Sequence, residues 1–165
     1  MKTRVMRILC LTVFLLVGMV SAAYASVSVS ADNRYFDIMS GSYVLEGNVT
    51  VQTDSRTIKA DKARVNLVSK EVWADGDIYL EEPDQHIIFT GGSLYASDES
   101  KTAVIKGGVK LERPGLTVEA ETCSFNWQTK IGEFDDLVEV QRNGKKEAYN
   151  KFVYDVVNNK IVEAE

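Results

Sequence analysis

His86 is the only histidine in the chain, and it follows the turn at Pro83-Asp84. A serine or cysteine nucleophile would need this imidazole beside it as base. No spacing brings Cys123 or a serine to His86. Zinc needs several His/Cys ligands, and beyond residue 25 only His86 and Cys123 are candidates. No metal or other cofactor is expected. The acidic pairs Asp75/Asp77, Glu81/Glu82, Asp98/Glu99 and Asp135/Asp136 have the types needed for acid/base work or calcium binding. Each stands at a turn or strand start, where Asp is common for backbone reasons, so they read as solvated turns. Gly91-Gly92 and Gly107-Gly108 precede no helix and do not cradle a phosphate. Asn48-Val-Thr50 has the form of a glycosylation acceptor but more simply reads as strand. Trp73 and Trp127 are of the type that stacks on sugars. Trp127 continues the Cys123/Phe125 face and reads as interior, while Trp73, between Val72 and Ala74, has no assigned face. The residues point away from catalysis and toward binding or scaffolding.

The N-terminus reads as an export signal. Lys2, Arg4 and Arg7 precede an apolar run from Ile8 to Val20, and Ala23-Tyr-Ala25 is a small-x-small cleavage site. The expected domain is residues 26–165. The alternative is an uncleaved membrane anchor, for which the run is short against a span of roughly 20 apolar residues. Cleavage removes three basic residues and no acidic one. Lys+Arg falls from 19 to 16 against 24 Asp+Glu, so the net charge moves from −5 to −8. That acidity excludes nucleic acid, whose binding is led by cations on phosphates. Cys123 is then alone, so no internal disulfide forms, and it reads as a small buried hydrophobe.

Elements that repeat make up the rest. VSAD starts at Val29, IKADKARV at Ile58, IFTGGSLY at Ile88, VEAETCSF at Val118 and a worn AYNKFVYD at Ala148, in steps of 29, 30, 30 and 30. Between them run GNVTV, GDIYL, GGVKL and DLVEV. Their first apolar residues, Val49, Ile78, Val109 and Val138, step by 29, 31 and 29. A fixed period of this size marks stacked supersecondary units. Each unit alternates apolar and polar residues, as in Val49/Thr50/Val51 and Val138/Glu139/Val140, so the units are β. Pro83 and Pro114 fall just after strands, where a missing N–H does no harm.

The alternation has a fault. Ile58 and Ala60 share one parity, while Ala63, Val65 and Leu67 share the other; Val118/Ala120 and Cys123/Phe125/Trp127 do the same. A slip of one residue turns later side chains over, so a bulge or bend is expected at Ala60–Lys62 and Ala120–Thr122. Each long strand then serves two packed sheets. The expected fold is all-β, a twisted jellyroll-like open sandwich of ~30-residue strand–turn–strand repeats. A single-sheet solenoid with ordinary bulges is the alternative.

Two surfaces could bind. The inward face holds Leu45, Val49, Val51, Ile78, Leu80 and Ile105, then Val109, Leu111, Val118, Phe125, Val138 and Val140. It forms either a plain core or a slot for acyl chains. The edges are a copy of the unit at Val29 and another at Asn150–Val162, which could pair head to tail across molecules. Lys145, Lys146 and Glu147 lie near the last strand as protecting charge.

VSAD, GNVTVQ and TIKADKARV resemble the periplasmic lipopolysaccharide-transport bridge family, the LptA/OstA-like domain. The best match is Val29 to about Val72, with looser copies over nearly the whole chain. The resemblance implies a β-jellyroll open at both ends that shields lipid A acyl chains of lipopolysaccharide. It implies a periplasmic protein that is no enzyme. Members stack end to end through edge strands, as homo-oligomers or with the membrane-anchored and outer-membrane partners of the system. By position, Leu45, Val49, Val51, Ile58, Val65 and Leu67 would line the slot or core, and Asp61 would be a structural corner. Two readings compete: the inner-membrane-anchored member of the same system, and a structural β-repeat that binds no lipid.

Overall fold

The computed structural model describes residues 28–52, 57–66 and 68–165. The signal segment and Leu67 lie outside the described residues. Eleven strands follow in chain order: β1 (Ser28–Ser30), β2 (Asn33–Asp37), β3 (Ser42–Gln52), β4 (Thr57–Asn66), β5 (Glu71–Glu82), β6 (Ile87–Ser97), β7 (Thr102–Arg113), β8 (Leu116–Asn126), β9 (Ile131–Arg142), β10 (Lys145–Asp155) and β11 (Lys160–Ala164). All pair antiparallel in one sheet, and from β2 onward each pairs with the next in sequence. β1 and β2 pair with the two halves of β3 and so act as one bent strand. Among the described residues there is no α-helix, only a 3₁₀ turn at Pro83–Gln85.

Hydrogen bonding never divides the sheet, so the two layers expected from the sequence are the two halves of every strand. They fold over one another at a row of mid-strand corners. Phe89 from one half lies 5.8 Å from Phe125 and 6.5 Å from Phe134 of the other, centroid to centroid. The result is a jellyroll-like sandwich made from a single bent sheet.

Register locates the corners. It shifts between Lys59 and Lys62 and between Glu119 and Thr122, at the two faults seen in the sequence. The extra residue, however, sits on the odd-numbered partner: Tyr79 to Asp75 spans four residues against three on β4, and Glu139 to Asp135 four against three on β8. The bulges therefore belong to the GNVTV-type strands, not to the IKAD-type strands. Their corner pairs all have left-handed backbone: Gly47-Asn48, Gly76-Asp77, Gly107-Gly108 and Asp136-Leu137. Glycine, Asn and Asp recur there because L side chains resist positive φ. Asn48, the glycosylation-like residue, instead donates from Nδ2 to Asp32 at 2.8 Å.

The hairpin turns repeat as closely. Asn66 Oδ1 accepts from the amides of Val68 and Ser69, and Asn126 Oδ1 from those of Gln128 and Thr129. Asp37 and Asp155 do the same for Met39 and Asn158. Four residues after each of these four comes a left-handed residue: Lys70, Lys130, Gly41 and Asn159. Asx side chains bonded to backbone two or three residues on explain why Asn and Asp recur at this spacing.

Pairing also corrects the repeat frame. Across the sheet, Val29 aligns through Val51, Ile58 and Leu80 with Phe89, then through Leu111, Val118 and Val140 with Glu147. The third and fifth copies thus start at Phe89 and Glu147, one residue from where sequence alignment set them. The steps become 29, 31, 29 and 29. Their first three match the other series, and Phe89 rather than Ile88 faces inward.

Candidate functional site

The inward face is best described as rows of paired residues crossing the sheet. In the first row, Arg34, Leu45, Ala63, Ala74 and Leu94 lead to Ile105, Cys123, Phe134 and Phe152. In the second, Phe36, Tyr43, Val65, Val72, Ala96 and Ala103 lead to Phe125, Gly132 and Tyr154. Side-chain volume is not spread evenly. β4 to β6 supply alanines, whereas β8 to β10 supply phenylalanines and a tyrosine. Phe134 packs on Phe152 at 6.2 Å and Phe152 on Tyr154 at 6.1 Å.

Burial follows the same gradient. Val109, Leu111, Val118, Phe134, Val138, Phe152 and Tyr154 are at most 1% exposed, so this half is a solid core. At the other end, Val51, Val65, Val72 and Leu80 are only half-buried against it, and Ile58 is half-buried. Beyond them Val29, Phe36 and Tyr43 are exposed. A cavity of about 610 Å³ opens there, lined by Val29, Arg34, Tyr35, Phe36, Tyr43, Leu45 and Val65. That volume lies within the range of roughly 300–1,000 Å³ common for ligand pockets. Phe36 and Tyr43 pack at 5.0 Å to form one wall.

The sequence-predicted residues fall into two groups. Leu45, Val49, Ile78, Ile105, Val109, Leu111, Val118, Phe125, Val138 and Val140 are all buried in one continuous core. Val51, Val65, Leu80 and Trp127 are half-buried against it, with Trp127 in the turn after β8 rather than in the strand, and Ile58 is half-buried. Only Leu45 and Val65 of the predicted set line the mouth cavity. Phe36, Tyr43 and Arg34 escaped prediction because β2 shows no clean alternation. Phe89 was hidden by the one-residue frame error.

The unused candidates are structural. Cys123 is fully buried, and desolvation pushes its thiol far above the ordinary range. His86 is exposed with left-handed backbone after the 3₁₀ turn. Asp98 is paired with Lys101 at 2.6 Å and Lys70 at 3.6 Å. Trp73 lies on the outer surface, 5.6 Å from Tyr95. Among the described residues, no group of three His, Cys, Asp or Glu is placed to hold a metal. Nor, among them, is any helix long and apolar enough to cross a membrane.

A family model described as LptA/(LptD N-terminal domain) LPS transport protein matches residues 28–160. The chain belongs to this family. Its members are transport proteins, and the bent sheet with its apolar interior is this family's domain in the present chain. Comparison with curated proteins gives no match. Among solved structures, one similar chain is LptH, the LptA homologous periplasmic component of the lipopolysaccharide transport device from Pseudomonas aeruginosa. Identity is 15% and the TM-score 0.36, covering 83% of this chain and 80% of that one.

Proposed function

We propose that this chain is a periplasmic lipopolysaccharide carrier that shields acyl chains in its interior. The observation that carries the reading is the half-open apolar face at the β1–β5 end of an otherwise filled sandwich. A self-contained structural repeat would be served by the filled half alone. Exposed Phe36, Tyr43 and Val29 beside half-buried Val65 make a poor surface for a protein in water but a good one for acyl chains. Each CH₂ moved there from water gains about 0.8 kcal/mol. Arg34 at the rim suits an anionic headgroup, and the acidic exterior disfavours one elsewhere.

The domain bounds follow from the same reading: residues 1–25 are a cleaved export signal and 26–165 the carrier. Stacking would use the two edges. Among the described residues, β1 and β2 leave one side unpaired, and β11 covers only the second half of β10. Lys145–Tyr149 is therefore a free edge on its far side, long enough to accept a strand. The partners are further copies of this chain or related jellyrolls at either membrane.

Mass spectrometry of lipid extracted from protein purified without detergent from a lipopolysaccharide-making host tests the reading. Co-purifying acyl chains, lost in Val65→Glu with strand content unchanged, are expected. Lipid-free protein that also fails to take up added lipopolysaccharide would overturn it. Val109 and Phe125, the inward residues most obvious from sequence, are unsuitable for this charge test. They lie in the filled half, where a glutamate would report on folding.

A further inference from the structure

Trp73 takes no part in the core, and its surroundings give it a use. On the outward face, register sets Tyr35, Val44, Arg64, Trp73, Tyr95 and Val104 side by side on six successive strands, β2 to β7. A second row beside it reads Glu46, Lys62, Asp75, Ser93 and Lys106. Two grooves run over these rows. One, of about 490 Å³, has Tyr35, Glu46, Lys62, Arg64, Trp73 and Asp75 in its lining. The other, of about 410 Å³, adds Ser93, Tyr95, Val104 and Lys106. Trp73 and Asp75 line both, so the two form one trough. With strands about 4.8 Å apart, it crosses roughly 24 Å of sheet.

The ring on the outward face of the other layer is used differently. Tyr79 there has the Lys59 ammonium 5.4 Å from its centroid, and its hydroxyl donates to Glu81 at 3.2 Å. Lysines on that layer are paired, Lys110 with Glu112 and Lys146 with Glu139, each at 2.6 Å. Tyr35 and Trp73 instead stay exposed. Tyr95, fixed by donating to Glu71 at 2.5 Å, supports Trp73 from the side.

We propose that this trough binds an uncharged saccharide chain. The C–H faces of a pyranose pack on the negative face of an indole or phenol ring. Its hydroxyls both donate and accept, and the second row offers them carboxylates and ammonium groups. Ligand sites commonly join aromatic walls to a few placed polar groups. The charges in the larger groove balance, Glu46 and Asp75 against Lys62 and Arg64. An anionic or cationic ligand would therefore meet as many like charges as opposite ones. The trough is on the opposite side of the sheet from the acyl face, and the proposal does not rest on the carrier reading.

Isothermal titration of the full chain with chitohexaose, a soluble uncharged chain of N-acetylglucosamine, tests this. Saturable binding is expected, weakened at least tenfold in Trp73→Ala and at least threefold in Tyr35→Ala. Tyr79→Ala should bind within twofold of the parent. Circular dichroism checks the fold, and Tyr35, on a short edge strand, keeps the test decisive if Trp73→Ala unfolds. No binding at millimolar chitohexaose, or an equal loss in Tyr79→Ala, would overturn the site. Binding of a carboxylated chain such as oligogalacturonate in its place would overturn the uncharged assignment. Sedimentation velocity covers the other occupant: self-association abolished by Trp73→Ala or Tyr35→Ala would make this face a contact between copies, and the proposal would fall.

Discussion

Asp61 lies against the backbone of Gly76 so closely that any side chain at Gly76 would overlap it; a Cβ there would stand 2.7 Å from Asp61 Cγ. The same relation holds between Asp32 and Gly47, where the Asp32 amide also donates to the Gly47 carbonyl at 2.9 Å. Gly92 meets Gly107 in the third corner, backbone against backbone. In each case the partners are 15 residues apart. The corner is thus a unit in which an acidic residue, or nothing, fills the space left by a left-handed glycine.

Gly76→Ala should therefore cost more than a left-handed alanine alone. Positive φ disfavours L residues by about 1–2 kcal/mol, and the overlap with Asp61 adds to it. Gly144, at φ +81 with no atom near its Cβ position, is the control. Urea midpoints should place Gly76→Ala at least about 1 kcal/mol below Gly144→Ala. In Asp61→Gly/Gly76→Ala, part of that excess should return as a coupling term. Equal losses at the two glycines would show that Asp61 does not crowd the corner.

The corners were legible in the sequence as lost alternation, but only by half. Ala60–Lys62 shows a parity change because Ala63 lies three positions after Ala60 and both are inward. Leu45 to Val49 spans four and keeps parity, so the bulge that causes the fault leaves no mark on its own strand except the glycine. The filled end was partly visible as Val109, Phe125 and Val138. The open mouth was not, because Arg34, Phe36 and Tyr43 become inward only through pairing of β2 with β3. Single-strand patterns cannot report which end of a face lacks an opposing layer.

Cys123 should behave as a hydrocarbon. It is fully buried, and desolvation, with Asp135 and Glu133 adding repulsion, holds the thiol protonated. A thiol-reactive dye at pH 8 should label native protein negligibly and label it stoichiometrically in denaturant. Rapid native labelling would mean that the β8–β9 core opens locally.

The turn carboxylates should make the protein acid-sensitive. Amide and side-chain donors at Asn158 hold Asp155 below the usual aspartate range, and Ser40 with the Met39 amide does so for Asp37. A folded pKa below the unfolded one stabilises the native state above the unfolded value of about 3.9. That contribution is lost as pH falls through the folded pKa. Unfolding midpoints should be flat near neutrality and drop below about pH 4. Asp155→Asn, which keeps the turn acceptor, should have a shallower acid limb. An unchanged limb would locate the acid sensitivity elsewhere.

The seam where the free rims of the two layers meet should be held by Arg113, which donates to Tyr154 Oη. Tyr154 is the partner it shares with Asn159, and burial pushes the Tyr154 phenol up while Arg113 and Arg142 oppose the shift. Hydrogen bonds from a charged donor are worth roughly 1.5–3 kcal/mol. Arg113→Met, which keeps most of the apolar stem, should lose about that much in a urea titration. Tyr154→Phe should lose somewhat less, because Arg113 keeps the Val156 carbonyl. The two losses should not add, falling short of their sum by at least about 0.5 kcal/mol, since both variants remove the same contact. Strict additivity would mean that the rims are joined by packing of Phe134 and Phe152 rather than by this polar tie. The C-terminal half would then be closed from within, and opening it would require moving the aromatic core itself.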